Sequence, residues 1–225
     1  MKKKILVIIL FVIGFGIFIT PYITDYLYNA RVNKLEDNYN KTIKATKKDK
    51  YKLLNDLMIE ENNKLYENKQ RTFINHEISF EETLIDLTKY GFEDRILGFI
   101  EIPSIDVKLP IYLGASNKNM KLGAVHLTGT SYPIGGKNTN SVIAAHRGYY
   151  KTLMFRHINK IKIGDVLYIK NYNGTLEYKA IRIDIINPTE LDKLTIEKGK
   201  DMVTIISCHP FPYNYQRYVV YFART

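Results

Sequence analysis

A single cysteine, Cys208, stands in 225 residues. No disulfide can form within the chain, and a cysteine-rich zinc site is excluded with it. The five histidines, His76, His126, His146, His157 and His209, show no HExxH or paired spacing, so no metal set emerges. Gly-rich phosphate loops, a GxSxG elbow, internal repeats and low-complexity tracts are all missing, and no cofactor is expected. Proline (7) and glycine (13) are too few, and the 45% hydrophobic content too high, for a disordered or collagen-like chain. Acidic residues are in the minority: 33 Lys/Arg against 23 Asp/Glu give +10. Residues 1–75 hold 14 against 8, a net of +6, and the rest is only mildly basic. No concentrated basic face with interleaved aromatics is evident, which argues against nucleic acid as a partner. The length fits one domain plus an appendage.

Lys2, Lys3 and Lys4 precede an uncharged apolar run from Ile5 to Ile23. At 1.5 Å per residue these nineteen residues span roughly 28 Å, close to a bilayer's hydrocarbon core. A secretory signal begins the same way, but ends in a small-x-small cleavage site after a shorter apolar core. Here the run ends in Ile19-Thr20-Pro21-Tyr22-Ile23, with tyrosines at 22 and 26. The expectation is an uncleaved single-pass anchor over residues 1–24 that contacts membrane lipid. The lysine triplet should stay cytoplasmic and the remainder lie outside the cell.

From Asp25 to Asn75 the chain has no glycine and no proline. Apolar residues recur at helical spacing at Leu53, Leu54, Leu57, Met58 and Leu65. Residues 25–90 are therefore expected to be a polar helical stalk, a solvated spacer that lifts a domain off the membrane. The character changes near residue 91, where prolines and glycines begin to separate short β-branched runs. Strands are predicted at Ile96–Ile102, Ile105–Tyr112, Leu122–His126, Ser141–His146, Val166–Lys170, Thr175–Ile186, Met202–Cys208 and Gln216–Phe222, with a helix only at Lys151–Ile158. Eight short strands in residues 91–225 point to an all-β domain, a closed or nearly closed barrel.

Cys208 ends the apolar strand Met202–Cys208. A strand end at a loop is where a reactive side chain meets substrate while its backbone stays fixed. A buried structural cysteine fits the same strand. His146 also ends a strand, and an imidazole beside a thiol can take its proton and so generate the nucleophilic thiolate. A hydrogen-bonded structural histidine is the alternative. Arg217 begins the last strand; a permanently charged guanidinium there can hold a carbonyl or steady an oxyanion, unless it is an ordinary surface arginine. The order His, Cys, Arg argues against papain-like proteases, where the cysteine comes first.

Thr204-Ile205-Ile206-Ser207-Cys208 resembles the TLxTC motif of the sortases, and Ser141–Gly148 resembles their catalytic histidine segment. Arg217 falls where the family's catalytic arginine does. Ile96–Pro103, Leu109–Gly114, Leu122–Ser131 and Pro133–Gly136 are similar to further segments of the sortase barrel, so the resemblance covers residues 96–225. His146-Arg147-Gly148 followed by Leu153 and Phe155 is most similar to class C, the pilin-type sortases.

The resemblance implies a sortase-type barrel and a two-step transpeptidation. Cys208 would cleave an LPxTG-like sorting signal of a secreted surface protein or pilin. The acyl-threonine would then pass to an amine, a pilin lysine or a lipid-linked peptidoglycan precursor. His146 would exchange protons, and Arg217 would position the peptide and stabilise the oxyanion. Residues 188–201 resemble the segment that reads the signal. No Asp-Pro occurs in the chain, whereas class C members usually anchor a lid with Asp-Pro-aromatic. Housekeeping and other specialised sortases therefore stay open, as do a cysteine hydrolase and a non-catalytic membrane-tethered binding module. Without that anchor, Glu81–Tyr90 is expected to pack as a helix with Leu84, Leu87 and Phe92 inward, leaving the cleft open.

Overall fold

The computed structural model describes residues 2–81, 85–148 and 153–225. Helix α1 (Lys2–Ala45) runs unbroken from the apolar segment into the polar one. Its first part carries an 18-residue stretch of mean hydropathy 2.6, none of it buried. Its second part is helical as expected, but it is not a free spacer. Tyr28, Val32, Leu35, Tyr39 and Ile43 form a stripe at three- and four-residue spacing that lies against the apolar layer of the following domain. The Tyr39 hydroxyl donates to the Leu97 carbonyl at 2.7 Å, and its ring packs on Phe92 and Phe99. Glu36 pairs with Lys108 beside these contacts.

Helix α2 (Lys48–Glu67) buries Tyr51, Leu54, Met58 and Asn62 on one face, while Leu53 stays exposed. Asn62 acts as a piece of strand edge: its Oδ1 accepts from the Tyr132 N–H at 2.7 Å, and its Nδ2 donates to the Tyr132 carbonyl at 3.3 Å. Gln70, buried just ahead of α3 (Arg71–Ile74), does the same for two loops. Its amide donates to the Gly129 carbonyl at 3.1 Å, and its Oε1 accepts from the Ile196 N–H at 2.7 Å. The helices thus brace the loops that flank one end of the barrel.

The barrel strands are β1 (Ile96–Ile102), β2 (Val107–Leu113), β3 (Ala124–His126), β4 (Thr139–Ala144), β5 (Val166–Asn171), β6 (Gly174–Ile186), β7 (Asp201–His209) and β8 (Gln216–Arg224). They close in the order β1-β2-β3-β4-β7-β8-β6-β5. β2–β3 and β4–β7 pair parallel, and the other neighbours antiparallel. A short α4 (Asn117–Leu122) precedes β3, capped by the Ser116 hydroxyl; it was not expected. The predicted Lys151–Ile158 helix lies partly outside the described residues, and its described part forms turns followed by a 3-10 turn at Ile158–Lys160.

Alternate residues of each strand serve different cores. Ile143, Ala145, Val203, Ile205, Val220 and Phe222 fill the barrel. Val142, Met202, Ile206, Val219 and Tyr221 face outward into the layer covered by the N-terminal helices. Burial on both faces is why Met202–Ile206 is apolar apart from Thr204, whose buried hydroxyl donates to Asn140 Oδ1 at 2.8 Å.

His126 is buried at the end of β3. Its Nε2 lies 3.2 and 3.0 Å from the carbonyl oxygens of Thr130 and Ser131, so that nitrogen carries the proton. Burial outweighs these bonds and pushes the pKa down to about 4. The unfolded chain protonates near 6.5. Above that value both states are neutral. As pH falls from about 6.5 toward 4, only the unfolded state gains the proton, so stability is lost, by up to about 3 kcal/mol. Denaturant unfolding at pH 7.5 and 4.5 should show this loss. A His126→Gln protein should lose clearly less on acidification, and an equal loss would assign the effect to other groups.

Candidate active site

Cys208 is the penultimate residue of β7 and is partly exposed. Arg217 is the second residue of β8 and sits directly opposite it in the antiparallel register. Opposed residues share a face, with Cβ atoms about 4.5–5.5 Å apart. His146 lies two residues beyond β4. Parallel pairing matches Ala144 with Ile206, and the Ala145 N–H continues it to the Ile206 carbonyl at 3.3 Å. The Ser207 hydroxyl then donates to the Ala145 carbonyl at 2.8 Å. His146 follows one residue later, beyond the end of β4. Alternation from Ile206 and Val219 on the outer layer puts the Cys208 and Arg217 side chains on the outer face of adjacent strands. Burial lowers the His146 pKa, which favours the neutral imidazole a proton acceptor requires.

A groove of about 250 Å³ adjoins Cys208 and Arg217. Ala144, Ile206, Cys208 and Arg217 line its floor, and Pro188, Leu191 and Leu194 of the β6–β7 segment form one wall. The other side is Met120 of α4, Leu127 and Phe80. An extended apolar peptide segment can lie here with its carbonyl against the thiol. Two larger hollows, about 670 and 490 Å³, contain neither Cys208 nor Arg217.

Sequence reasoning had placed the β6–β7 wall but not Phe80, Met120 or Leu127. Met120 belongs to the unexpected α4, and its only advance signal was the Ser116 cap. Phe80 had a clearer one, an aromatic among the acidic residues of the segment ahead of the barrel.

The expected Glu81–Tyr90 helix is not formed over its described residues. Asp86 instead accepts from the Thr88 N–H at 3.1 Å and starts a separate 3-10 turn at Leu87–Tyr90. Gly91, at φ +94°, ends that turn in a left-handed conformation. Leu87 and Phe92 are buried as expected, while Leu84 lies outside the described residues. Ahead of the turn the Phe80 carbonyl accepts from the Ala115 N–H at 2.5 Å, and its ring packs on Phe73 at 5.6 Å. An aromatic of the N-terminal segment, Phe80, thus lines one side of the cleft. Phe80→Ala should speed alkylation of Cys208 by a bulky maleimide about three- to tenfold, the higher figure being 1.4 kcal/mol of protection. An unchanged rate would mean that Phe80 does not restrict access.

A closed barrel with a thiol, an imidazole and a guanidinium at one strand end defines a class of thiol acyl-transfer proteins, and comparison with known proteins narrows it. Residues 100–225 match the model of the Sortase domain. The chain belongs to the sortase family of cysteine transpeptidases. Sortase A of Bacillus anthracis is 27% identical over 156 residues, covering 69% of this chain and 72% of that protein. Sortase A of Listeria monocytogenes is 32% identical over 117 residues, 52% of this chain and half of its own length. Among solved structures, a lid mutant of Streptococcus agalactiae sortase C1 superposes with TM-score 0.73 at 27% identity, covering 83% of this chain and 95% of that one. Sortase C of Clostridium perfringens superposes with TM-score 0.63 at 34% identity, covering 84% and 97%. The chain is thus similar to class C sortases in structure.

Proposed function

We propose that this chain is a membrane-anchored, pilin-type sortase whose reacting groups are Cys208, His146 and Arg217. The observation that carries the reading is the Cys208–Arg217 register pair opening onto one apolar groove, with His146 just beyond the end of the adjoining strand β4. His146 takes the Cys208 proton, and the thiolate attacks the threonine carbonyl of an LPxTG-like signal in a secreted surface protein. Negative charge develops on the carbonyl oxygen, where the Arg217 guanidinium meets it. The C–N bond breaks, the departing amine takes a proton from His146, and a thioester to Cys208 remains. An incoming amine gives its proton back to His146 and attacks the thioester. A new amide forms and the thiolate leaves. The thioester conserves the energy of the cleaved bond, so no cofactor is needed.

The pilin-type reading draws support from the class C neighbours; one of them is described as a pilus island sortase. On this reading a pilin lysine is the acceptor, and a lipid-linked peptidoglycan amine is the second candidate. Residues 1–24 serve as the anchor, 25–90 as an N-terminal helical segment bound to the barrel, and 91–225 as the catalytic domain outside the cell. The full chain in detergent, incubated with a library of sorting-signal peptides, should form an adduct on Cys208. Adding amines should convert that adduct into ligated product. Release by water alone, unaffected by any amine, would make the protein a hydrolase. The absence of an adduct with every peptide would favour a binding module.

A further inference from the structure

Arg147 follows His146 directly, and none of the roles above uses it. Only 8% of it is exposed. One guanidinium nitrogen, Nη1, donates to the Cys208 carbonyl at 3.2 Å and to His209 Nδ1 at 2.8 Å. The guanidinium carbon lies 5.5 Å from the centre of the Tyr218 ring, and Tyr218 is the β8 partner of Ser207. One side chain therefore reaches the end of β7 and the start of β8 from the turn that leaves β4.

Two features make this more than packing. First, the regular pairing of β4 with β7 ends at Ala144 and Ile206, and the Ala145 N–H supplies one more bond. Beyond it, the Arg147 side chain returns from the residue after His146 to the main chain of Cys208, tying the two reacting residues together. Second, a buried cation needs a compensating partner. No carboxylate pairs with Arg147 among the described residues, and its buried Nε has no hydrogen-bond partner among them. Its compensation comes from the Cys208 carbonyl, His209 Nδ1 and the face of the Tyr218 ring, so its place is fixed by the ends of β7 and β8.

We propose that Arg147 is a positioning residue: it pins the His146 turn to the Cys208 end of β7. The inference rests on reading Cys208 and His146 as the reacting pair. The other charged or titratable groups around the thiol are His146 from the β4 turn, Arg217 and Tyr218 from β8, and His209 in β7. Arg147 occupies Nδ1 of His209, so that nitrogen is withheld from serving as a rival base next to the nucleophile.

The test uses the full chain with Arg147→Gln, which keeps the length and removes the charge, and Arg147→Lys, which keeps the charge and loses the fork. Circular dichroism reports folding, and peptide turnover supplies kcat and KM. For Arg147→Gln, kcat should fall about 10- to 100-fold with KM within about twofold, because the reacting groups lose their alignment while the groove is untouched. Arg147→Lys should recover part of kcat. A folded Arg147→Gln protein with wild-type kcat, or one whose loss falls on KM instead, would overturn the proposal. If that variant does not fold, Arg147→Lys decides alone: a fall in kcat of at least about threefold with KM held supports the proposal, and wild-type kcat overturns it. Failure of the underlying reading looks different, because alkylating Cys208 would then leave wild-type turnover intact.

Discussion

Cys208→Ala should abolish both thioester formation and ligation, a loss of about 10⁴–10⁶ in turnover. The chain has no other thiol to take over. Neighbouring Ser207 is no substitute: its side chain is buried and donates to the Ala145 carbonyl at 2.8 Å. An alcohol there would also lack a thiol's readily formed anion. The substitution should barely affect folding, since Cys208 is partly exposed at a strand end. A change within about 0.5 kcal/mol is expected, as for surface sites generally. Intact-mass spectrometry after incubation with a sorting-signal peptide should show the acyl adduct on the wild-type chain and none on the variant. Peptide binding to the groove should survive, because Ile206, Leu191 and Leu194 remain. Residual ligation by the variant at even a hundredth of the wild-type rate would mean that another group is the nucleophile.

The barrel was legible in the sequence because its strands carry strong local signals. β1 was placed at its observed bounds, and β7 came within one residue at each end. Both are runs of β-branched and aromatic residues bounded by turns. What could not be read locally is what depends on distant partners. Tyr28, Val32, Leu35 and Tyr39 form a regular stripe, yet tyrosine serves an exposed helix as well as a buried one. Partners far along the chain, such as the Leu97 carbonyl that accepts the Tyr39 hydroxyl and Lys108 paired with Glu36, show that the segment is docked and not a free stalk. The Glu81–Tyr90 expectation failed for a local reason. Asp86 caps a new turn at Thr88, and that competes with helix propagation through the same residues.

His146, Cys208 and Arg217 could be singled out by residue type and strand-end position. Their alignment follows from the β4–β7 and β7–β8 registers. Those registers depend on a parallel crossover and on a hairpin loop containing Pro210 and Pro212, and neither is written in any short stretch of sequence. Arg147 was invisible for the same reason. An arginine after a histidine carries no signal until its partners, Cys208 and His209, are brought to it from sixty residues away.

Arg217→Lys should lower kcat about 10²–10³-fold, the usual cost of one oxyanion donor, even though the positive charge is kept. The Arg217 guanidinium donates through Nη1 to the carbonyls of Asn214 and Gln216, at 3.0 and 2.9 Å. These bonds brace the fork against the β7–β8 hairpin. A guanidinium has donors on three nitrogens in one plane, so it can hold the hairpin through one and meet developing charge in the groove through the others. A lysine ammonium is a single point. If it satisfies the hairpin carbonyls it is withdrawn from the groove, and if it enters the groove the carbonyls lose their donor. The change should therefore fall on kcat, where charge develops, with KM for the peptide altered by no more than about threefold. The alkylation rate of Cys208 should stay close to wild type, because the nucleophile and His146 are untouched. A lysine variant with turnover within about threefold of wild type would reduce Arg217 to a surface charge bracing a hairpin, and the oxyanion would have to find its donors elsewhere in the groove.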